Sequence, residues 1–400
     1  MRLSLNLIHK PASGFSLVEI MVGMVIGMLG LIVIMQVFAL SEGRKRTTTG
    51  GSDAMTEGAI AMYALQREIR QGGYGVAAMS LFGCSVITPL PTAPGTNALG
   101  VSIVTNTPSV SIPLAPVTIN PVTATIPPTA LIPAGDPNTD TLLVFYAQTT
   151  TQTQGQTDSV TVADNTYYIK NDQCPLASPM PMTLTNTTLE KHITVSVFSP
   201  SVLFVLGTST PDSTPLLPPR ALAYAIRGGN LTVCDFMSND CSDDDNKNIP
   251  TIWVPIASNI VSLRAQYGRA SVPDVNPVPD PADVTTRMPN YIVSTYDQAT
   301  PTTSCGWART GAIRLALVAR SGQYEKVAVT TDDHDIDPGL ALAPVWDGKA
   351  DAPINLKNPD DPDNTDWKHY RYKMFQTTIP LVNVTWMGQQ QVCQTGCVGC

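Results

Sequence analysis

The chain has 400 residues, 14% of them charged, and a formal net charge of −8. That length accommodates one large or two medium domains with a true core, while the acid excess argues against nucleic-acid recognition, which needs a basic face. The 34 prolines, set in long stretches dominated by Thr and Val, favour strands and turns over helices.

Residues 1–14 carry Arg2 and Lys10 and no acid. Phe15-Ser-Leu-Val-Glu19 follows, and then an apolar run from Ile20 to Leu40 interrupted by the polar Gln36. Such a run makes a helix of about 31 Å, roughly the hydrocarbon thickness of a bilayer. An ordinary secretory signal places its small-residue cleavage site after the apolar run. Here the small residue, Gly14, comes before it, so cleavage there keeps the helix. Glu19 is costly inside an apolar segment, by about 2.5–3.5 kcal/mol at a helix centre and less near its end. Arg44, Lys45 and Arg46 balance Arg2 and Lys10 across the run, so charge leaves the orientation open. Gly23 and Gly27 stand at GxxxG spacing, with Gly30 beyond. They suit close helix packing and equally suit a flexible helix.

The first helix is predicted over Phe15 to Thr48, with an interruption at Gly50-Gly51. Ser52 or Asp53 then caps a second helix, whose apolar face is Ile60, Ala61, Ala64, Leu65 and Ile69. Gly72-Gly73 close it near Gln71. From Gly75 onward the pattern turns to strands. Leu142–Tyr146 is one; Ile193, Val195 and Val197 mark another; Tyr224–Ile226 and Leu231–Val233 flank a Gly228-Gly229-Asn230 hairpin. Val261, Leu263, Ala265 and Tyr267 alternate with polar residues, and Ile313, Leu315 and Leu317 with Arg314 and Ala316, each giving a strand with one buried face. Lys373 to Trp386 closes the series. Residues 86–139, 270–300 and 330–366 read as irregular insertions rich in Pro, Thr or Asp.

All the cysteines lie after the apolar run: Cys84, Cys174, Cys234, Cys241, Cys305, Cys393, Cys397 and Cys400. If that run crosses a membrane with its C-terminal side out, disulfides are the default. Cys234 and Cys241 are expected to close a local loop. The tail cysteines have spacing that could hold zinc but supply three ligands with no nearby His. A disulfide staple, with Cys305 as an outside partner, is the preferred reading, and a Cys400 bridge between chains the lesser one. Asp333, Asp335 and Asp337 alternate as calcium ligands do, but Pro338 and Pro344 occupy the positions where an EF-hand needs Gly and Glu. An irregular calcium site competes with a solvated acidic loop, which is preferred. Asp360, Asp361, Asp363 and Asp366, and Asp243 to Asp245, read the same way. His9, His192, His334 and His369 have no metal-ligand spacing, and there is no nucleophile elbow or phosphate loop. Neither enzymatic activity nor a cofactor is expected.

Gly14-Phe15-Ser-Leu-Val-Glu19 resembles the class III signal of type IV pilins and type II secretion pseudopilins. Leu65-Gln-Arg-Glu-Ile-Arg-Gln-Gly-Gly-Tyr-Gly75 with Cys84 after it, Asp140-Thr-Leu, Leu263-Arg-Ala-Gln-Tyr-Gly268 and Ile313–Arg320 resemble the PilW family of minor pilins. The resemblance is dense over the first 75 residues and thin beyond. It implies an α+β, pilin-like fold: a long N-terminal transmembrane helix packed on an antiparallel β-sheet domain with long loop insertions. Residues 1–14 would be leader, 15–49 the transmembrane and assembly helix, 50–73 its second part, and 74–400 a β-rich domain in the periplasm or outside. It also implies that a prepilin peptidase cuts after Gly14 and methylates Phe15, and that Glu19 pairs with a neighbouring subunit's N-terminal amine to set the register. The expected setting is the inner membrane, single-pass, and then the pilus tip. The expected partners are other minor pilins, the major pilin and a tip adhesin, with roles in pilus initiation, twitching, adhesion and DNA uptake. A J-type pseudopilin and an exported adhesin or ligand-binding module are the alternatives.

Overall fold

The computed structural model describes residues 16–76, 82–89, 109–123, 128–147, 152–154, 159–162, 166–170, 182–186, 193–196, 202–208, 219–270, 292–302, 304–333, 335, 339–349, 353–357 and 365–385. Its contacts divide into two compact units, residues 1–52 and 53–400. A helix, α1, covers Leu17–Gln71. The interruption expected at Gly50-Gly51 is therefore not present. Two glycines cost about 2 kcal/mol relative to Ala. That is too little to break a helix already propagating on both sides, where each residue adds a bond without a new nucleus.

Within the second unit, the α1 residues Ala54, Ala61, Met62, Leu65 and Ile69 are buried. Ala54, Ala61, Leu65 and Ile69 stand seven, four and four apart with Met62 alongside, one stripe of a 3.6-residue period. Ile60, expected on that face, is 48% exposed, because it sits a full position off the stripe. Fully burying Leu65 and Ile69 is worth about 1.5–3 kcal/mol each.

That stripe shares one core with two sheets. The strands are β1 (Val117–Ile119), β2 (Leu142–Tyr146), β3 (Arg220–Arg227), β4 (Asn230–Asp235), β5 (Val254–Ser258), β6 (Ile260–Ala270), β7 (Val293–Asp297), β8 (Thr310–Arg320) and β9 (Tyr372–Pro380). The first sheet runs β5-β4-β3-β2-β1 and the second β7-β6-β8-β9, every neighbour antiparallel. Gly228 and Gly229 turn β3 into β4 with φ of 56° and 71°, the left-handed pair that a two-residue hairpin needs. A further six-stranded sheet is assembled from Ser109–Pro113, Ser85–Pro89, Met182–Asn186, Thr166–Lys170, Val202–Thr208 and Gln152–Gln154, with one parallel pair. Residues 86–139 are thus not a plain insertion. Their described residues supply most of three strands and the buried Leu131 and Ile132, with Pro89 and Pro113 falling at strand ends, where proline is tolerated.

Two strand expectations need correction. The β6 ladder slips between Ile260 and Ser262, a bulge that changes which face each residue meets. Ser262 is consequently 1% exposed, and Val261 packs instead against a second cluster of Ala316, Val318, Trp346 and Ile354. β8 is buried on both faces, not one. Leu315 and Leu317 enter the main core, while Ala316 and Val318 are covered by Trp346 and Ile354 from the segment expected to be irregular.

Candidate functional site: the exposed apolar helix and the polar contacts at the end of α1

The first unit presents the part of α1 that ordinary folding leaves unexplained. Leu17–Phe38 is long and apolar enough to cross a membrane, and none of it is buried. Leu17 is 74% exposed and Phe38 70%. An apolar surface of this size requires lipid or other helices around it. The Ser16 carbonyl accepts from Glu19 N at 3.0 Å and Ile20 N at 3.2 Å, starting the helix. Glu19 therefore lies in the first turn, where the helix dipole favours a negative charge. A Cβ built on Gly23, Gly27 or Gly30 meets nothing within 4 Å, so these positions are open for a close neighbour. Gly14 and Phe15 lie outside the described residues.

In the second unit, polar side chains tie the end of α1 to the sheets. Glu68 is buried, pairs with Arg67 at 2.7 Å and accepts the Tyr146 hydroxyl at 2.7 Å. Burial, and then the hydrogen bond to Glu68, push the Tyr146 phenol well above its ordinary value. The last turn of α1 is capped from far along the chain: Asn383 Nδ2 donates to the carbonyls of Arg70, Gln71 and Gly72 at 3.2 Å each. Gly72 has to be glycine here, since a Cβ would stand 2.6 Å from the Pro116 carbonyl oxygen.

Asp140 lies at the junction of the two sheets. It is 3% exposed and accepts from Asn120 Nδ2, Arg264 Nη1, Ala265 N and Gln298 Nε2 at 2.8–3.3 Å. A buried carboxylate needs donors of this kind to offset its lost hydration. Three motif segments quoted from the sequence converge around it: Asp140-Thr-Leu, Leu263–Gly268 and, through the β6–β8 ladder, Ile313–Arg320. Nearby, Tyr267 Oη accepts the Ile119 backbone N–H at 2.7 Å, and burial pushes its phenol up to about 12. Asp136 binds the Gly228 and Gly229 amides at 2.8 and 2.7 Å, strapping the hairpin.

Spacing alone did not single out Asn383, Glu68, Asp136 or Tyr267. Glu68 has Arg67 beside it, but the bonds to Tyr146, to the Gly228 and Gly229 amides, to the Ile119 amide and to the end of α1 span 78 to 313 positions, leaving no local signal.

Cys234 and Cys241 form the expected local disulfide, with Cα atoms 5.9 Å apart. Cys84 is also disulfide-bonded. Cys174, Cys393, Cys397 and Cys400 lie outside the described residues, as does the side chain of Cys305. Asp333 Oδ1 accepts the Asp335 amide at 2.8 Å, a local turn bond; Asp337 lies outside the described residues. Among the described residues no three metal-type ligands come together.

An N-terminal apolar helix followed along the chain by antiparallel sheets is a mixed α+β arrangement consistent with a pilin-like fold. Residues 240–383 match the family described as type IV pilus-assembly protein W, and residues 9–35 match the prokaryotic N-terminal methylation motif. Over these two stretches the chain is similar to the type IV minor pilins of the PilW family. No curated protein and no solved structure matches the chain.

Proposed function

We propose that this protein is a structural minor pilin that helps to initiate type IV pilus assembly, in a complex with other minor pilins at the pilus tip. The observation that carries this reading is the wholly exposed Leu17–Phe38 span with one carboxylate, Glu19, in its first turn. In the proposed sequence a prepilin peptidase cuts between Gly14 and Phe15 and methylates Phe15. The new amine of a neighbouring subunit then pairs with Glu19, and sister helices close over Gly23 and Gly27. An unpaired carboxylate in a lipid setting is costly, so only the matched register removes that cost. The size of the second unit supports a terminal position: a bulky domain fits an end better than a repeated shaft.

Two measurements test this. Mass spectrometry of the mature protein is expected to begin at a methylated Phe15. Deletion is expected to reduce surface pili and twitching. An N-terminus at Met1 overturns the processing step, and unchanged pilus number overturns the initiating role.

A further inference from the structure

A cleft on the outer side of β6 and β8 is lined by groups that the pilin reading does not use. It has two chambers, of about 260 and 270 Å³, which share Asn355, Leu356 and Trp367. Each falls just short of the ~300 Å³ at which drug-sized pockets begin, so each suits one small ring. The first chamber is walled by Trp367, Tyr370 and Tyr372, with Arg320, Asp366 and Asn355 supplying its polar groups.

Arg320 is the informative residue. Its guanidinium lies over the Tyr370 ring, 4.3 Å from the centroid. Its Nε is sealed from solvent and has no acceptor among the described residues. The neighbouring cations are satisfied: Lys357 by Asp332 at 2.6 Å and Arg371 by Glu325 at 2.7 Å. Arg320 lines the first chamber with no carboxylate partner among the described residues, so its Nη groups, not the sealed Nε, are placed to meet a ligand oxygen.

The rest of the lining narrows the chemistry. A purely apolar ligand would leave the guanidinium unanswered. A simple anion would meet the Asp366 carboxylate. A ring bearing several hydroxyls suits all the groups, because each hydroxyl both donates and accepts. Such hydroxyls can give to Asp366, take from Arg320, and do either with Asn355. The C–H face of the ring lies on Trp367 or Tyr372, as apolar ligand faces lie on aromatic walls.

We propose that this cleft binds a saccharide of two rings, one in each chamber across Trp367. The proposal does not depend on the pilus reading. It is tested by saturation-transfer NMR on the full-length chain in phosphocholine micelles, because glycoside detergents would compete. The probes are lactose, maltose, cellobiose and N,N′-diacetylchitobiose, with acetate as the comparison. At least one disaccharide is expected to receive saturation on its ring protons. Arg320→Gln is expected to weaken that binding at least tenfold with an unchanged near-ultraviolet spectrum. Asn355→Asp, which keeps the acceptor for Lys357 N and removes the amide donors, gives a second variant should Arg320→Gln fail to fold. No binding by any probe at millimolar concentration, or binding indifferent to both substitutions, overturns the proposal. Displacement of the sugar by acetate at equal concentration overturns it in favour of a plain carboxylate site.

Discussion

Asp140 Oδ1 sits 3.3 Å from Arg264 Nη1, and this charge pair is the longest of the four contacts the carboxylate makes. Arg264 is 27% exposed on its side chain and Asp140 only 4%. Removing Asp140 orphans the Ala265 amide and the donors of Asn120 and Gln298. Asp140→Ala is expected to lower stability by about 3–5 kcal/mol, each buried donor left without an acceptor costing about 1–3 kcal/mol. Arg264→Gln leaves the other donors in place and should cost about 1 kcal/mol or less. Urea unfolding of both variants in detergent decides this, and equal losses would contradict it.

The glycines of α1 separate by environment. A Cβ on Gly58 would fall within 3 Å of the Phe375 ring, whereas one on Gly51 meets nothing within 4 Å. Gly58→Leu is expected to destabilise by about 1–3 kcal/mol through overpacking. Gly51→Ala is expected to cause no loss, helix propensity favouring Ala by about 1 kcal/mol. Thermal midpoints that move the same way for both would count against the placement of Phe375.

Alkaline pH tests the buried phenols. Burial raises Tyr146, Tyr224, Tyr267 and Tyr372 above the ordinary tyrosine value, Tyr267 to about 12. The unfolded chain releases these protons near pH 10 while the folded chain keeps them. Below pH 10 their contribution is complete. Above it the unfolded state holds fewer protons, so stability falls as pH rises towards the folded values. The slope is about 1.4 kcal/mol per pH unit for each tyrosine. Urea midpoints flat from pH 8 to 9 and dropping steeply by pH 11 are expected. In Tyr146→Phe the drop is shallower, and at neutral pH the lost bond to Glu68 costs about 1.5–3 kcal/mol.

The Cys234–Cys241 bridge closes a short loop. Replacing both with Ser is expected to cost about 2–3 kcal/mol by the chain-entropy relation. Non-reducing peptide mapping should recover the two cysteines in one linked fragment. Separate fragments would remove the assignment.

Glu19→Ala is expected to be cleaved and methylated like the unaltered chain yet to enter pili poorly. Normal incorporation, scored by immunoblot of sheared pili, would contradict the register role. Glu19→Asp, which shortens the reach by one methylene, is expected to recover part of the incorporation.

The sequence by itself determined what depends on near neighbours. The apolar run after Gly14 was legible because about twenty adjacent residues share one character. The Gly228-Gly229 turn and the alternation along Leu263, Ala265 and Tyr267 follow from backbone rules that act over a few positions. The tertiary structure decided the rest. It brought Asn383 to the end of α1, Asp140 to β6, and Trp346 over β8, and it slipped Ser262 into the core by a bulge. It also kept α1 continuous through two glycines. Each of these outcomes balances groups far apart in the chain, where desolvation and packing set the energy and no local pattern records it.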